Sequence, residues 1–154
     1  MVKTETLFSS SRMDWETPQD LFDKLNSEFF FTLDPCASDL NHKCEKYYTE
    51  EQDGLQQDWS GEKVFCNPPY GRNVTKWVRK WVRKCYDETH TGDCKLAVML
   101  LNARTDTKWF HDYIYNHKAD EIRFLKGRLK FGGGNVNAPF PSMVVVFWGR
   151  EEKY

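Results

Sequence analysis

The sequence predicts an α/β domain whose largely parallel sheet is covered by helices on both faces. Segments with helical spacing alternate along the chain with short apolar segments typical of strands. Two of those strand segments, 96–101 and 143–148, are apolar throughout, which is the pattern of a sheet buried between helices. Ligands bind such sheets beyond the carboxyl ends of the strands. The residues that follow each strand are therefore the candidates for a binding site.

Size and composition favour one domain that is neither secreted nor inserted in a membrane. The chain has 154 residues, of which 40% are hydrophobic and 29% charged, with a net charge of −1. No apolar run reaches the ~20 residues needed to cross a bilayer, and residues 1–14 lack a signal-peptide core. We expect a flexible segment at 1–13, a domain at 14–154 and a cytoplasmic protein. The near-zero charge excludes a general polycation, so nucleic-acid binding would need locally concentrated basic residues.

The cysteines indicate free thiols and no metal site. There are five, an odd number, and they form no CxxC pair. In a reducing compartment such thiols stay unpaired. Cys36, His42 and Cys44 form at most half of a zinc site, and no second pair follows at the spacing of a finger or a ribbon. We therefore expect no bound metal.

The first helix and strand are predicted from their boundary residues. Thr17 can cap a helix, Pro18 suits its first position, and the apolar residues of 21–29 have helical spacing. Residues 30–33 resemble a buried strand that ends at Asp34-Pro35. The other predicted elements are helices at 75–86 and 107–115, and strands at 47–48, 64–66, 96–101, 121–125 and 143–148.

One motif points to chemistry. Asn67-Pro68-Pro69-Tyr70 follows the short strand 64–66, and its two prolines give a rigid corner that lacks two N–H donors. The Asn67 side-chain oxygen beside a backbone carbonyl matches the two donors of a planar amino group. Two such acceptors favour a pyramidal nitrogen and stabilise the positive charge that develops as it attacks an electrophile. The corner therefore suits alkylation of an exocyclic amine, with Tyr70 stacking on the attached ring; a plain proline turn is the alternative.

This motif and its surroundings resemble a known family. Asn67-Pro68-Pro69-Tyr70 is similar to the catalytic motif of amino methyltransferases that use S-adenosylmethionine. Over most of residues 14–148 the chain resembles the phage DNA N-6-adenine methyltransferase (Dam-like) family. The segments that carry this resemblance, in the family's order, are Trp15-Glu16-Thr17-Pro18, Leu33-Asp34-Pro35-Cys36-Ala37, Asp53-Gly54-Leu55, 64–71, 103–111 and Ala138-Pro139-Phe140-Pro141-Ser142.

The resemblance implies both a fold and a reaction. The fold would be a single-domain Rossmann-like class I methyltransferase with a C-terminal antiparallel strand. The reaction would move a methyl group from S-adenosylmethionine to the N6 amine of an adenine flipped out of double-stranded DNA. Asn67 and Pro68 would accept hydrogen bonds from the amine, Tyr70 would stack on the ring, and Pro69 would complete the motif. Transfer would be a direct displacement, so Cys66 need not act as a nucleophile.

The resemblance also implies where the cofactor binds. The segment Asp34-Pro35-Cys36-Ala37 matches the family's acidic motif at a strand end, although it lacks the glycine-rich turn of better-known methyltransferases. Asp34 would attract the methionine ammonium. Asp53 is the expected acceptor for the adenine amine of the cofactor, with Asp58 as its competitor.

Residues before the first helix correspond to the family's amino-terminal cofactor segment. Trp15, Thr17 and Pro18 belong to it, and a hydroxyl at a helix start can receive a carboxylate. A plain cap beside a packed tryptophan is the alternative. No clear acid is available for the cofactor ribose, for which Asn41 and Lys43 are weak candidates.

Contacts to DNA are expected from short loops rather than from a separate domain. Cations suit phosphates and amides suit base edges, while the basic face of the 75–86 helix is interpreted as a solvated surface. With so little room for recognition we expect limited sequence specificity and a monomer or weak homodimer. The expected DNA-binding residues are Arg72, Arg104, Asp106, Lys126, Arg128, Lys130, Asn135 and Asn137.

Two alternatives stay open at the level of sequence. The same motif could serve the N4 amine of cytosine or the side-chain amide of a protein glutamine. The chain could also be a catalytically silent DNA-binding module with the same fold. A nicotinamide-dependent enzyme is discounted because no GxGxxG follows the first strand.

Overall fold

The computed structural model describes residues 16–69, 73–131 and 137–152. These residues form one mixed α/β domain. The segment predicted to be flexible, 1–13, lies outside the described residues. The helices are α1 (Gln19–Phe29), α2 (Val74–His90) and α3 (Lys108–Tyr113), and a 3-10 turn covers Gly54–Gln56. The strands are β1 (Leu33–Asp34), β2 (Lys46–Tyr47), β3 (Lys63–Cys66), β4 (Leu96–Asn102), β5 (Glu121–Phe124) and β6 (Ser142–Trp148).

The six strands form one sheet in the order β2-β1-β3-β4-β6-β5. Strand β1 runs parallel to β2 and β3, and β3 runs parallel to β4. Strand β6 is antiparallel to both of its neighbours, β4 and β5. The expectations of a mostly parallel sheet and of a C-terminal antiparallel strand are therefore confirmed.

Helices cover both faces of this sheet, as predicted. One face of β3, β4 and β6 packs with apolar residues of α2 and α3, among them Val82 and Trp109. The opposite face packs with Phe22, Leu25 and Phe29 of α1, and with Phe131 from the connection to β6. Because alternate residues of a strand point to opposite faces, burial on both faces requires apolar residues along β4 and β6, and only the paired end residues Asn102 and Ser142 are polar.

The start of the first helix differs from the prediction. Helix α1 begins at Gln19, and Pro18 is its N-cap without a side-chain hydrogen bond. Thr17 therefore does not cap the helix. Proline can stand at this boundary because its φ of −54° suits the entry to a helix and its missing N–H costs nothing there.

The first strand is shorter than predicted because of the way α1 ends. Phe30 adopts a left-handed conformation with φ 57° and is 65% exposed. The chain turns at this residue, so only Leu33 and Asp34 pair as a strand, although the Thr32 N–H already donates to the Lys63 carbonyl at 2.7 Å. Helix α2, in contrast, extends past its predicted end at residue 86 to His90.

Two further observations concern the described part of the chain. None of its helices has both the length and the apolar character required to span a bilayer. No cluster of three or more His, Cys, Asp or Glu side chains suited to a metal ion is found there. The His42 ring instead stacks on the Tyr47 ring, with 3.9 Å between the ring centroids. Its Nδ1 lies 2.8 Å from the Cys44 carbonyl oxygen.

Candidate functional site

The main cavity of the described structure lies at the carboxyl ends of β1 and β3. It has a volume of about 440 Å³, within the ~300–1,000 Å³ that is usual for small-molecule and cofactor sites. It brings together Thr17 before α1, Asp34 at the end of β1, and the corner after β3. The lining residues are Glu16, Thr17, Asp34, Cys36, Ala37, Ser38, Asp39, Leu40, Asn41, Lys43, Thr49, Glu50, Glu51, Phe65, Asn67, Pro68 and Pro69.

Asp34 forms part of the cavity wall and organises the turn that follows β1. Its side chain is buried, with 6% of its surface exposed. One carboxylate oxygen accepts from the Cys36 N–H at 3.3 Å and the other from the Lys43 N–H at 2.9 Å. Hydrogen bonds to a charged acceptor are stronger than neutral ones. The carboxylate thus holds both ends of the 36–43 loop, which also places Ala37 at the cavity.

The cavity is acidic. Five carboxylate side chains line it, from Glu16, Asp34, Asp39, Glu50 and Glu51. Lys43 is the one cation among its described lining residues, and its Nζ forms an ion pair with Glu16 at 3.3 Å. Charges that face a concave, partly buried site act with less screening than surface charges. The lining therefore favours a ligand that carries positive charge.

A smaller cavity of about 140 Å³ adjoins the first and shares Cys36, Thr49, Glu50 and Pro69 with it. Its other lining residues are Pro35, Asp53, Gly54, Leu55, Trp77 and Trp81. Apolar and aromatic walls beside a few polar groups suit a planar ring.

The two acids expected to bind the adenine amine of the cofactor lie in different surroundings. Asp53 lines the smaller cavity, has a φ of 54°, and accepts from the Leu55 N–H at 3.2 Å. Asp58 lines neither cavity and accepts from the Ser60 N–H and hydroxyl at 3.0 and 2.7 Å. These hydrogen bonds lower the pKa of Asp58. The geometry favours Asp53.

Glu50 is a candidate that the sequence reasoning missed. It follows β2 closely and lines both cavities. In dinucleotide-binding α/β folds, an acid past the first βα unit accepts from ribose hydroxyls. In the sequence Glu50 stands two positions after the predicted strand at 47–48, in a polar loop where an acid has no distinctive spacing. Asn41 and Lys43, the weak candidates for binding the cofactor ribose, also line the larger cavity.

The corner formed by Asn67, Pro68 and Pro69 borders the larger cavity. All three residues line it, and the Asn67 Nδ2 donates to the Thr17 hydroxyl at 3.0 Å. The Asn67 Oδ1 is buried, so a substrate amine reaches it only if this wall of the cavity moves. Tyr70 lies outside the described residues.

The thiol before the corner is not a nucleophile at neutral pH. Cys66 is fully buried, and burial raises its pKa well above the ordinary value, with a further contribution from the neighbouring Cys85. Burial likewise raises the pKa of Cys44 and Cys94 to about 12. A protonated thiol is a poor nucleophile. This agrees with a direct transfer that uses no covalent enzyme intermediate.

Those of the expected DNA-binding residues that the structure describes line neither cavity. Arg104 and Asp106 follow β4 and are exposed, as are Lys126, Lys130 and Asn137. Arg128 is exposed and donates to the Ala138 carbonyl at 3.4 Å, which joins the two ends of the connection between β5 and β6. Trp15, Arg72 and Asn135 lie outside the described residues.

The basic face of α2 is largely neutralised by acids. Arg79 pairs with Asp112 at 3.0 Å, and Arg83 and Lys84 pair with acids four residues further along the helix at 3.4 and 3.0 Å. Pairs of this kind are typical of a solvated helix surface. The geometry thus agrees with the interpretation of this face as a solvated surface.

Comparison with known proteins yields matches along nearly the whole chain. The family model "DNA N-6-adenine-methyltransferase (Dam)" matches residues 4–150. A DNA N-6-adenine-methyltransferase of Haemophilus phage HP1 is 34% identical over 154 residues, covering 96% of this chain and 84% of the relative. A protein of the same name from Escherichia phage T1 is 32% identical over 117 residues, covering 75% of this chain and 45% of the relative. Together with the corner that borders the acidic cavity, these matches show that the chain belongs to the DNA N-6-adenine-methyltransferase family.

Proposed function

We propose that this protein transfers a methyl group from S-adenosylmethionine to the N6 amine of an adenine flipped out of duplex DNA. One observation carries the proposal: Asn67, Pro68 and Pro69 border the same cavity as Asp34 and Thr17. A motif suited to an amine and a motif suited to a cationic cofactor thus meet in one place. The names of the phage relatives supply the substrate.

The residues of the two cavities fit this cofactor. At neutral pH S-adenosylmethionine carries an ammonium, a sulfonium and a carboxylate, so its net charge is positive and suits an acidic lining. Asp34 would hold the ammonium, and Glu50 the ribose hydroxyls. Asp53, beside Leu55 and Trp77, would receive the adenine in the smaller cavity. Pro18 and Trp15 belong to the amino-terminal segment that the family resemblance assigns to the cofactor.

The chemical step needs acceptors rather than a protein nucleophile. When bound, S-adenosylmethionine supplies the methyl group, which passes to the amine nitrogen as the carbon–sulfur bond breaks. Asn67 Oδ1 and the Pro68 carbonyl accept from the two N–H bonds of the amine, which concentrates its lone pair and stabilises the developing positive charge. One amine proton is released. Tyr70 would stack on the target ring and hold it in place.

The topology agrees with a Rossmann-like class I methyltransferase fold. The strand order β2-β1-β3-β4-β6-β5 places the antiparallel β6 between two strands that run the other way. The two cavities lie where ligands of open α/β sheets bind, beyond the carboxyl ends of the strands. We take residues 14–154 as one catalytic domain.

Recognition of DNA falls to exposed residues around this edge of the sheet. Arg104, Lys126 and Lys130 are exposed cations that suit phosphates, and Asn137 is an exposed amide that suits a base edge. The cavity itself is acidic and would repel the backbone, so the base alone would enter it. The proposed setting is the cytoplasm of a phage-infected cell, with a monomer or weak homodimer as the active form.

Transfer of labelled methyl groups to defined duplexes, followed by identification of the modified nucleoside, tests the proposal. We expect N6-methyladenine, and a loss of at least about a hundredfold in turnover for Asn67→Ala, the scale seen when a transition-state acceptor or donor is removed. Asp58→Asn is the matched control, because this acid lies at neither cavity; its activity should equal that of the wild type.

The other outcomes identify the alternatives. Detection of N4-methylcytosine, or of a methylated glutamine in an added protein, would show that the substrate is different. The proposed transfer of a methyl group to an amino group would still hold. Tight DNA binding by folded protein without any transfer would indicate a silent binding module. Near-normal methylation by Asn67→Ala would contradict the role of the corner.

A further inference from the structure

Lys43 places a single positive charge in a cavity lined by five carboxylates. It is the one cation among the described lining residues, and only 10% of its side chain is exposed. Its Nζ donates to the Gln19 Oε1 at 2.8 Å and to the Glu16 Oε1 at 3.3 Å. An ammonium group has three N–H donors and no acceptor. The two contacts within the described part of the chain therefore leave a third donor for a ligand.

The ion pair with Glu16 does not commit the ammonium to that acid. Its length of 3.3 Å exceeds the ~2.7–2.9 Å of a strong charged hydrogen bond, and the Glu16 side chain is 33% exposed. The Asn41 amide, oriented to donate, reaches both Glu16 oxygens at 2.9 and 3.2 Å. Glu16 therefore keeps a partner when an anionic group of a ligand takes its place on Lys43.

The backbone of Lys43 lies against Asp34, the acid proposed to hold the ammonium of the cofactor. The Lys43 N–H donates to the Asp34 Oδ2 at 2.9 Å, and both residues line the larger cavity. An α-amino acid carries its ammonium and its carboxylate on one carbon atom. A site for it therefore needs an acid and a cation close together, and Asp34 and Lys43 are such a pair.

We propose that Lys43 binds the carboxylate at the methionine end of S-adenosylmethionine; this inference rests on the proposed function. The carboxylate is the one anionic group of that cofactor, and the acidic lining repels it. A single cation offsets this repulsion at one point and leaves the attraction for the ammonium and the sulfonium elsewhere. Lys43 thereby also orients the methionine end, because a reversed amino acid group would bring its carboxylate to Asp34.

A cycle that removes the lysine charge and the ligand carboxylate in turn tests this contact. Lys43→Met keeps most of the side-chain length, and decarboxylated S-adenosylmethionine lacks only the carboxylate. In isothermal titration, Lys43→Met should weaken the binding of S-adenosylmethionine about ten- to a hundredfold, the range for one charged hydrogen bond. The decarboxylated ligand should bind Lys43→Met at least as tightly as it binds the wild type, because it no longer meets a like charge.

Lys46→Met is the matched control. Lys46 also pairs with an acid, Glu62, but lines neither cavity, so this variant should bind both ligands as the wild type does. Lys43→Gln, which keeps a donor without the charge, is a second variant in case Lys43→Met does not fold. It should show the same pattern with a smaller loss. Thermal unfolding without ligand establishes that each variant is folded.

The outcomes separate this role from the proposed function. Equal weakening of both ligands by the Lys43 variants would overturn the inference, because it would show that the lysine only supports the shape of the cavity. Unchanged binding of S-adenosylmethionine would overturn it as well. A wild-type protein that binds neither ligand would reject the proposed function together with this role. The expected binding pattern without methyl transfer to DNA would reject the proposed reaction and retain the role of Lys43.

Discussion

The two halves of the sheet are built in different ways. Strands β4 and β6 pair over seven register positions, from Leu96 opposite Trp148 to Asn102 opposite Ser142. Nearly all of their side chains are buried. Strands β1 and β2 pair over only two positions, at Leu33 and Asp34. The cavities lie beside the short strands, so the half with the least regular pairing carries the candidate site.

This difference separates stability from chemistry. Long apolar strands bury most surface per residue and resist local opening. Short strands end early and leave polar groups at the sheet edge, where Asp34 holds its loop through two backbone N–H groups. Substitutions in the two halves should accordingly give different losses, one in the stability of the whole domain and the other in ligand binding.

The largest effect on stability is expected from Met99→Ala in β4. Met99 is fully buried and packs in the cluster beneath α2 and α3. The lost contacts and the resulting cavity should cost about 2–5 kcal/mol of unfolding free energy. Urea denaturation measures this loss, and the folded fraction should still bind the cofactor normally. A loss below about 1 kcal/mol would show that the long half does not dominate stability.

Asp34→Asn is expected to have a smaller effect on the fold and a larger one on binding. The variant keeps one acceptor oxygen for the backbone but loses the charge, so we expect a loss of about 1–3 kcal/mol of unfolding free energy. Cofactor affinity should fall by at least about tenfold, because the ammonium loses its counter-charge. Isothermal titration of S-adenosylmethionine measures the affinity, and unchanged binding would remove Asp34 from the site.

The smallest effect is expected where β4 and β6 end. Ser142 faces Asn102 across the ladder, and its hydroxyl is buried with no hydrogen-bond partner among the described residues. Ser142→Ala should therefore be neutral or stabilise the fold by up to about 1 kcal/mol. Thr89→Ala, which removes a hydroxyl that has a partner, should destabilise it. Thermal unfolding of both variants makes the comparison, and a clear loss for Ser142→Ala would reveal a contact of that hydroxyl.

The contrast between the halves also explains what could be predicted from the sequence. The apolar runs predicted the bounds of β4 and β6 to within one residue, because a strand that is buried on both faces gives a continuous apolar run. Strand β1 was predicted too long, since the left-handed Phe30 depends on how α1 ends rather than on apolar character.

The site was predicted in part for a similar reason. The motif residues Asp34 and Asn67 line the expected edge of the sheet. Local pattern could not show that the Thr17 hydroxyl contacts Asn67 instead of capping α1, because that contact joins distant segments. Glu50 was missed because an acid in a polar loop has no distinctive spacing; it gains significance only when β2 brings it to both cavities.

The acidic lining of the larger cavity has a consequence for turnover in the proposed reaction. The five carboxylates attract a donor whose sulfur is positively charged. Once the methyl group has left, that sulfur is a neutral thioether, and the same carboxylates hold the molecule less strongly. Fresh donor would therefore displace the by-product readily, because the loss of the sulfur's charge alone favours the exchange.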